Sequence, residues 1–212
     1  MPAAPTDRLR RAIAAIDAAN AADPHMLVVR GEPRPKELAH AELASAWVAR
    51  LVDAPSEELV LAARAHHLER WAIPRASHPM GRAGYHRWRR ALQAHHAARA
   101  GEILAREGYP EAAIARVQSL LRKEGLGRGD AEAQAFEDAL CLVFLETQLV
   151  ETAAKLDDEA KALDVLRKTL RKMSTRAREL AGALPLDEGA RALVERALES
   201  GPGSDGTDDG AP

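Results

Sequence analysis

The chain has 212 residues, of which 46% are hydrophobic, and its 30 Lys and Arg oppose 32 Asp and Glu for a formal net charge of −2. A chain of this length buries about 70% of its unfolded surface, which is enough for a real core in one domain. The near balance of charge excludes broad binding to a phosphate backbone, which needs a basic face, and the lone Cys141 excludes a disulfide framework and a Cys-based zinc site.

Ala, Leu, Arg and Glu dominate, and they are the strongest helix formers, while aromatics are only 3%. An all-α fold of seven to eight helices is expected, one domain over residues 1–200 followed by an acidic, Gly-rich tail over 201–212 too polar to fold. Thr6 or Asp7 caps a first helix that ends before Asp23-Pro24. Met26-Leu-Val-Val29 is the only strand-like piece, and Gly31-Glu-Pro-Arg-Pro35 reads as a Pro-rich link. A second helix runs from about Lys36 to Asp53, and a third starts at Ser56, runs to about Trp71 and stops before Pro74. Ile73 to Gly81 is an irregular loop. A long helix covers about Tyr85 to Glu107, and the next begins at Pro110 and ends near Gly125. Asp130 caps a helix to about Leu156; one from Asp158 to Leu184 and a short one from Asp187 to Leu198 follow. No apolar run approaches the ~18 residues of a membrane span. Asp17 breaks the apolar stretch nearest the start, so no signal peptide is expected, and a cytoplasmic location fits the single thiol.

Histidines fall on inward faces. His40 shares a stripe with Ala44, Trp47 and Leu51, His67 with Val60, Ala63 and Trp71, and His66 with Leu59 and Ala62. Ala139-Leu-Cys-Leu-Val-Phe-Leu145 is apolar on every side, which marks a central helix, and Asp138 stands at its entrance. A carboxylate entering a core needs a cation or hydrogen-bond donors. Neutral imidazoles and a carboxylate are also what a borderline divalent cation takes. Hydrogen-bonded core histidines and a capping Asp are the competing expectation.

The order His40, His66-His67, Asp138 resembles the HD-domain superfamily of all-helical, metal-dependent phosphohydrolases. The matching segments are Ala39 to Trp47, Leu61 to His67 and Glu137 to Leu145, with His67 standing where that family's pair has its Asp. Pro35-Lys-Glu-Leu, His67 to Arg75, Gly84 to Arg89 and Phe136 to Leu145 are similar to the domain-of-unknown-function family 4202. The HD resemblance implies a divalent ion (Mn, Fe, Zn or Mg) held by His40, His66, His67 and Asp138, with His96 as an extra ligand. It also implies a phosphate contact from Lys123 and a water-positioning role for Glu124.

Arg70, Arg75 and Arg89 crowd around Tyr85 and Trp88 in sequence. Guanidinium forks match phosphate oxygens, so these five residues are candidates to bind a small phosphorylated ligand. The resulting expectation is a divalent-metal-dependent phosphohydrolase acting on a nucleotide or other small phosphate ester, with no membrane or extended nucleic-acid partner and homo-oligomerisation left open. The alternative is a helical domain of the same fold that binds a ligand or protein without catalysis. A di-iron oxygenase is a third expectation drawn from the same resemblance.

Overall fold

The computed structural model describes residues 6–199 apart from Arg30 and Asp157. The tail expected over 201–212 lies outside the described residues. The chain is all-α apart from one small hairpin, with ten α-helices and two short 3-10 helices among the described residues. It falls into two compact units, one up to Phe136 and one from Glu137 onward. No helix among the described residues is long and apolar enough to cross a membrane.

In the first unit, α1 (Asp7–Asn20) opens where Thr6 Oγ1 accepts the Leu9 N–H at 3.1 Å. The Pro-rich link is a strand: β2 (Glu32–Pro35) pairs antiparallel with β1 (Met26–Val29), Met26 opposite Pro35. Its prolines are tolerated because a two-stranded ribbon has only edges. α2 (Lys36–Leu51) starts at Pro35, which has no capping side chain. Asp23 takes that role from a distance: its Oδ2 accepts the Glu37 N–H at 3.0 Å.

α3 (Glu57–Ala65) is the centre of this unit, packed on α1 and α2 and on α5 (Glu111–Leu121). Leu59, Leu61, Ala62, Ala63 and Ala65 are fully buried, so the alanines let neighbouring helices approach closely. The helix ends at Ala65 rather than near Trp71. Glu69 adopts a left-handed conformation (φ 52°), and its N–H donates to Asn20 Oδ1 at 3.1 Å. Arg99 grips the Glu69 carboxylate with Nε and Nη2 at 2.6 and 3.0 Å, which stabilises this sharp reversal. Short 3-10 turns at Arg70–Ala72 and Arg75–Ser77 follow.

α4 (Arg82–Arg106) is the long helix, packed on α5. The loop before it lies against its first turn because residue 84 is glycine: a Cβ there would stand 1.8 Å from the Pro79 carbonyl oxygen. α6 (Ala131–Thr147) begins in the first unit, where Asp130 Oδ1 accepts the N–H groups of Glu132 and Ala133. Arg116 pins that carboxylate at 2.6 and 2.9 Å.

The second unit carries the rest of α6 with α7 (Leu149–Leu156), α8 (Glu159–Lys172), α9 (Thr175–Gly182) and α10 (Glu188–Glu199). Two helices expected to be continuous are each divided, at Gln148 and at Met173-Ser174. The second break has a clear cause, since Ser174 Oγ accepts the Ala177 N–H at 3.2 Å and starts a new helix.

Candidate metal centre

The end of α3, the start of α2 and the middle of α4 bring four imidazoles of the first unit together. Adjacent residues on a helix point about 100° apart, so His66 and His67 could not both face one point from a continuous helix. They lie in the turn after Ala65 instead, and their rings approach to 4.2 Å between centroids. His67 is the hub, with His40 at 5.8 Å and His96 at 6.0 Å. An ion bound at about 2.1 Å to imidazole nitrogen holds its ligand rings roughly 4.5 to 6 Å apart. These separations fall near that range.

Glu37 organises the group. Its Oε2 accepts Nδ1–H of His40 at 3.0 Å and Nδ1–H of His67 at 2.9 Å. Glu37, His40 and His67 offer one ligand atom each within 4.8 Å of one another. We place Glu37 behind the imidazoles rather than on an ion, because 2.9 to 3.0 Å is hydrogen-bond length, whereas a metal–nitrogen bond is about 2.1 Å. A carboxylate holding Nδ1–H fixes the tautomer that leaves Nε2 as the ligand atom.

Backbone carbonyls do the same for the other two rings. Ala63 O accepts His66 Nδ1–H at 2.9 Å, and Leu68 O accepts His96 Nδ1–H at 2.8 Å. A carbonyl can only accept, so Nε2 of both carries a lone pair. His96 Nε2 is buried and has no hydrogen-bond partner. Such an atom is costly to leave unpaired, and a metal ion would satisfy it. By residue type the imidazoles are donors of the kind a borderline divalent cation takes, and Glu37, His40 and His67 are the three whose ligand atoms lie within 4.8 Å of one another among the described residues.

Electrostatics agree. Burial pushes His66 down to about 3, reinforced by His40, and His96 down to about 4. Burial also lowers His67 well below the usual imidazole value. These rings are neutral at physiological pH, the form that binds metals. Burial would lift the Glu37 carboxyl, but its electrostatic interactions and hydrogen bonds with His67 and His40 outweigh it and hold it well below the carboxylate range.

The positive residues border this group. Arg70 Nη1 lies 3.4 Å from His67 Nε2, and Arg70 Nε lies 3.8 Å from Glu37 Oε1. The Arg70 guanidinium stacks on the Trp88 ring at 4.8 Å and that of Arg75 stands 5.9 Å from it. Arg75 Nη1 also donates to the carbonyls of His78 and Pro79, both at 3.0 Å. Burial lowers Arg70 from its usual value, and the nearby charge of Arg89 adds to this. Tyr85 packs on Trp88 at 5.8 Å. Trp88 is only 9% exposed and its Nε1–H donates to Ile73 O, so it packs rather than offering a face for stacking.

Other expected residues have different settings. Asp138 lies in the second unit, where its Oδ1 accepts the Ser174 N–H at 2.8 Å. Lys123 and Glu124 terminate α5: Lys123 has φ 60°, its N–H reaches Leu120 O at 2.8 Å, and the Glu124 N–H reaches Ser119 O at 3.0 Å. That is a Schellman stop with lysine in the position glycine favours. Glu124 is 57% exposed and pairs with Arg122 at 3.9 Å. The residue that sequence reasoning missed is Glu37. Its signal was the i,i+3 spacing to His40 on the same stripe, read backward by one turn.

Residues 10–194 match the family described as "Domain of unknown function (DUF4202)", and the chain belongs to that family. No curated protein matches, and no solved structure matches.

Proposed function

We propose that the protein is a divalent-metal-dependent phosphohydrolase acting on a small phosphate ester. The observation that carries this reading is the approach of His40, His66 and His96 to His67, with Glu37 holding His40 and His67, a buried unpaired Nε2 on His96 and the Arg70–Trp88 pair alongside. A divalent cation supplies a water of lowered pKa and polarises a phosphoryl oxygen.

The chain's own groups do the rest. Glu37 and the carbonyls of Ala63 and Leu68 hold the rings in one tautomer. Burial keeps the His66, His67 and His96 rings neutral, so these three do not oppose the cation's charge as imidazolium. Arg70 and Arg89 present guanidinium groups to phosphate oxygens. Trp88 supports Arg70 from beneath and reads no base.

The test is metal content by mass spectrometry after exhaustive dialysis, then a panel of phosphate esters with the retained metal restored. We expect about one equivalent of a transition metal and hydrolysis abolished by chelation. One contact favours a second reading, a helical binding domain without catalysis: Arg70 Nη1 already satisfies His67 Nε2. Metal-free protein whose melting point ignores added metal would favour that second reading.

A further inference from the structure

Among the described residues a positive φ is taken by six glycines and by only two residues with a side chain, Glu69 and Lys123. Glycine adopts that region without strain, and a residue with a Cβ does not. Lys123 closes a helix. Glu69, at φ 52° and ψ 39°, instead stands directly after His66, His67 and Leu68. Backbone strain of this kind persists where the surrounding structure over-determines it, and such places gather at functional sites.

The surroundings of Glu69 do over-determine it. Asn20, fully buried at the end of α1, accepts the Glu69 N–H at 3.1 Å. Arg99 on α4 takes both carboxylate oxygens, Nε to Oε2 at 2.6 Å and Nη2 to Oε1 at 3.0 Å. The turn closes on itself through the Arg70 N–H to His67 O and the Ala72 N–H to Glu69 O, both at 3.0 Å. A glycine at position 69 would satisfy the backbone but leave Arg99 nothing to hold. The chain keeps a glutamate where the turn alone would favour glycine, and its side chain ties the turn to a second helix.

The turn carries the imidazoles. His66 and His67 are part of it, with rings 4.2 Å apart. Leu68, also part of it, lends its carbonyl to His96 Nδ1–H at 2.8 Å. Three of the four rings therefore take their placement from the segment that Glu69 holds. A ligand set gains affinity when its geometry is fixed before the ion arrives. We propose that Glu69 is a positioning residue for the metal centre, through which the grip of Arg99 and Asn20 fixes His66, His67 and His96 in one arrangement. This rests on the metal-centre reading above. Glu69 is not a ligand: both its oxygens are engaged by Arg99, and it acts through the turn.

The test uses the full-length chain freed of metal and titrated with Co2+, whose visible absorption reports both affinity and coordination geometry. Glu69→Gly leaves the backbone free to adopt the same φ but removes the partner of Arg99. It is expected to bind Co2+ about tenfold more weakly and to show a shifted or weakened band at saturation. Glu69→Gln keeps an oxygen for Arg99 and is expected to lose less than about threefold. A residue that only supports the fold would change the melting temperature of the metal-free protein and leave the Co2+ affinity and band of the folded protein as they were. Equal affinity and an identical band in Glu69→Gly therefore overturn the proposal. If circular dichroism shows that Glu69→Gly does not fold, Arg99→Ala, which leaves Glu69 in place but unclamped, carries the same expectation and the same overturning result. Absence of Co2+ binding by the wild type defeats the metal centre itself, and the positioning role with it. Wild-type binding that the substitutions leave unaltered defeats the positioning role alone.

Discussion

Glu37 Oε2 accepts His67 Nδ1–H at 2.9 Å, joining the first turn of one helix to the reversal after another across thirty residues of chain. The same oxygen holds His40 at 3.0 Å, so one atom sets the orientation of two rings. Replacing Glu37 with Ala leaves two buried N–H donors without acceptors and is expected to cost about 3 kcal/mol. Urea denaturation measures it, and a loss below about 0.5 kcal/mol would show that the carboxylate is incidental. Glu37→Gln keeps the volume and is expected to weaken metal binding about 10- to 100-fold.

His96 is a separate case because its Nε2 is buried without a partner. His96→Leu removes that unpaired acceptor along with the bond to Leu68 O. These effects oppose each other, so the metal-free melting temperature is expected to change little. The rise in melting temperature on adding metal should shrink sharply. A variant that retains the whole rise excludes His96 as a ligand.

Asp130 gives the first unit an acid-sensitive point. The hydrogen bonds from Arg116 and from the Ala133 N–H hold its carboxyl well below the usual value of 3.8. The native protein thus binds fewer protons there than the unfolded chain does in acid. The stabilisation is complete at neutral pH and is lost as pH falls below about 4. Asp130→Asn preserves the helix cap but removes the charge, so it is expected to cost about 1 kcal/mol at pH 7 and to flatten the acid limb. Stability curves from pH 2.5 to 7 that run parallel in the two proteins would contradict this.

Lys123 occupies a left-handed position that glycine adopts without strain. Lys123→Gly is expected to stabilise the protein by about 0.5 to 1 kcal/mol, read from the urea midpoint. Destabilisation instead would mean that the lysine side chain contributes contacts worth more than the strain.

Much of the fold was legible because it rests on local signals. Thr6, Ser56, Asp130 and Pro110 mark helix starts through their own chemistry, and each stands at one. The end of α3 was not legible, because the apolar stripe continues to Trp71 and what stops the helix is Asn20, 49 positions away, receiving the Glu69 N–H. Pairing of Glu32–Pro35 with Met26–Val29 was hidden by prolines, whose exclusion from strands does not apply at an edge. At the site, the inward histidines could be read from periodicity. Glu37 could not be ranked among the first-turn acids, since Glu57, Glu58, Glu111 and Glu132 occupy similar places on their helices. The spacing within α2 brings Glu37 to His40, and the turn after α3 brings His67 to the same carboxylate.

Gly84 sets a practical limit on redesign. With the Pro79 carbonyl where a Cβ would stand, randomising position 84 leaves a single amino acid that keeps the preceding segment seated. Deep mutational scanning would therefore record an intolerant column at a residue that holds no ligand and carries no charge. Read without coordinates, that column would be mistaken for a site of chemistry.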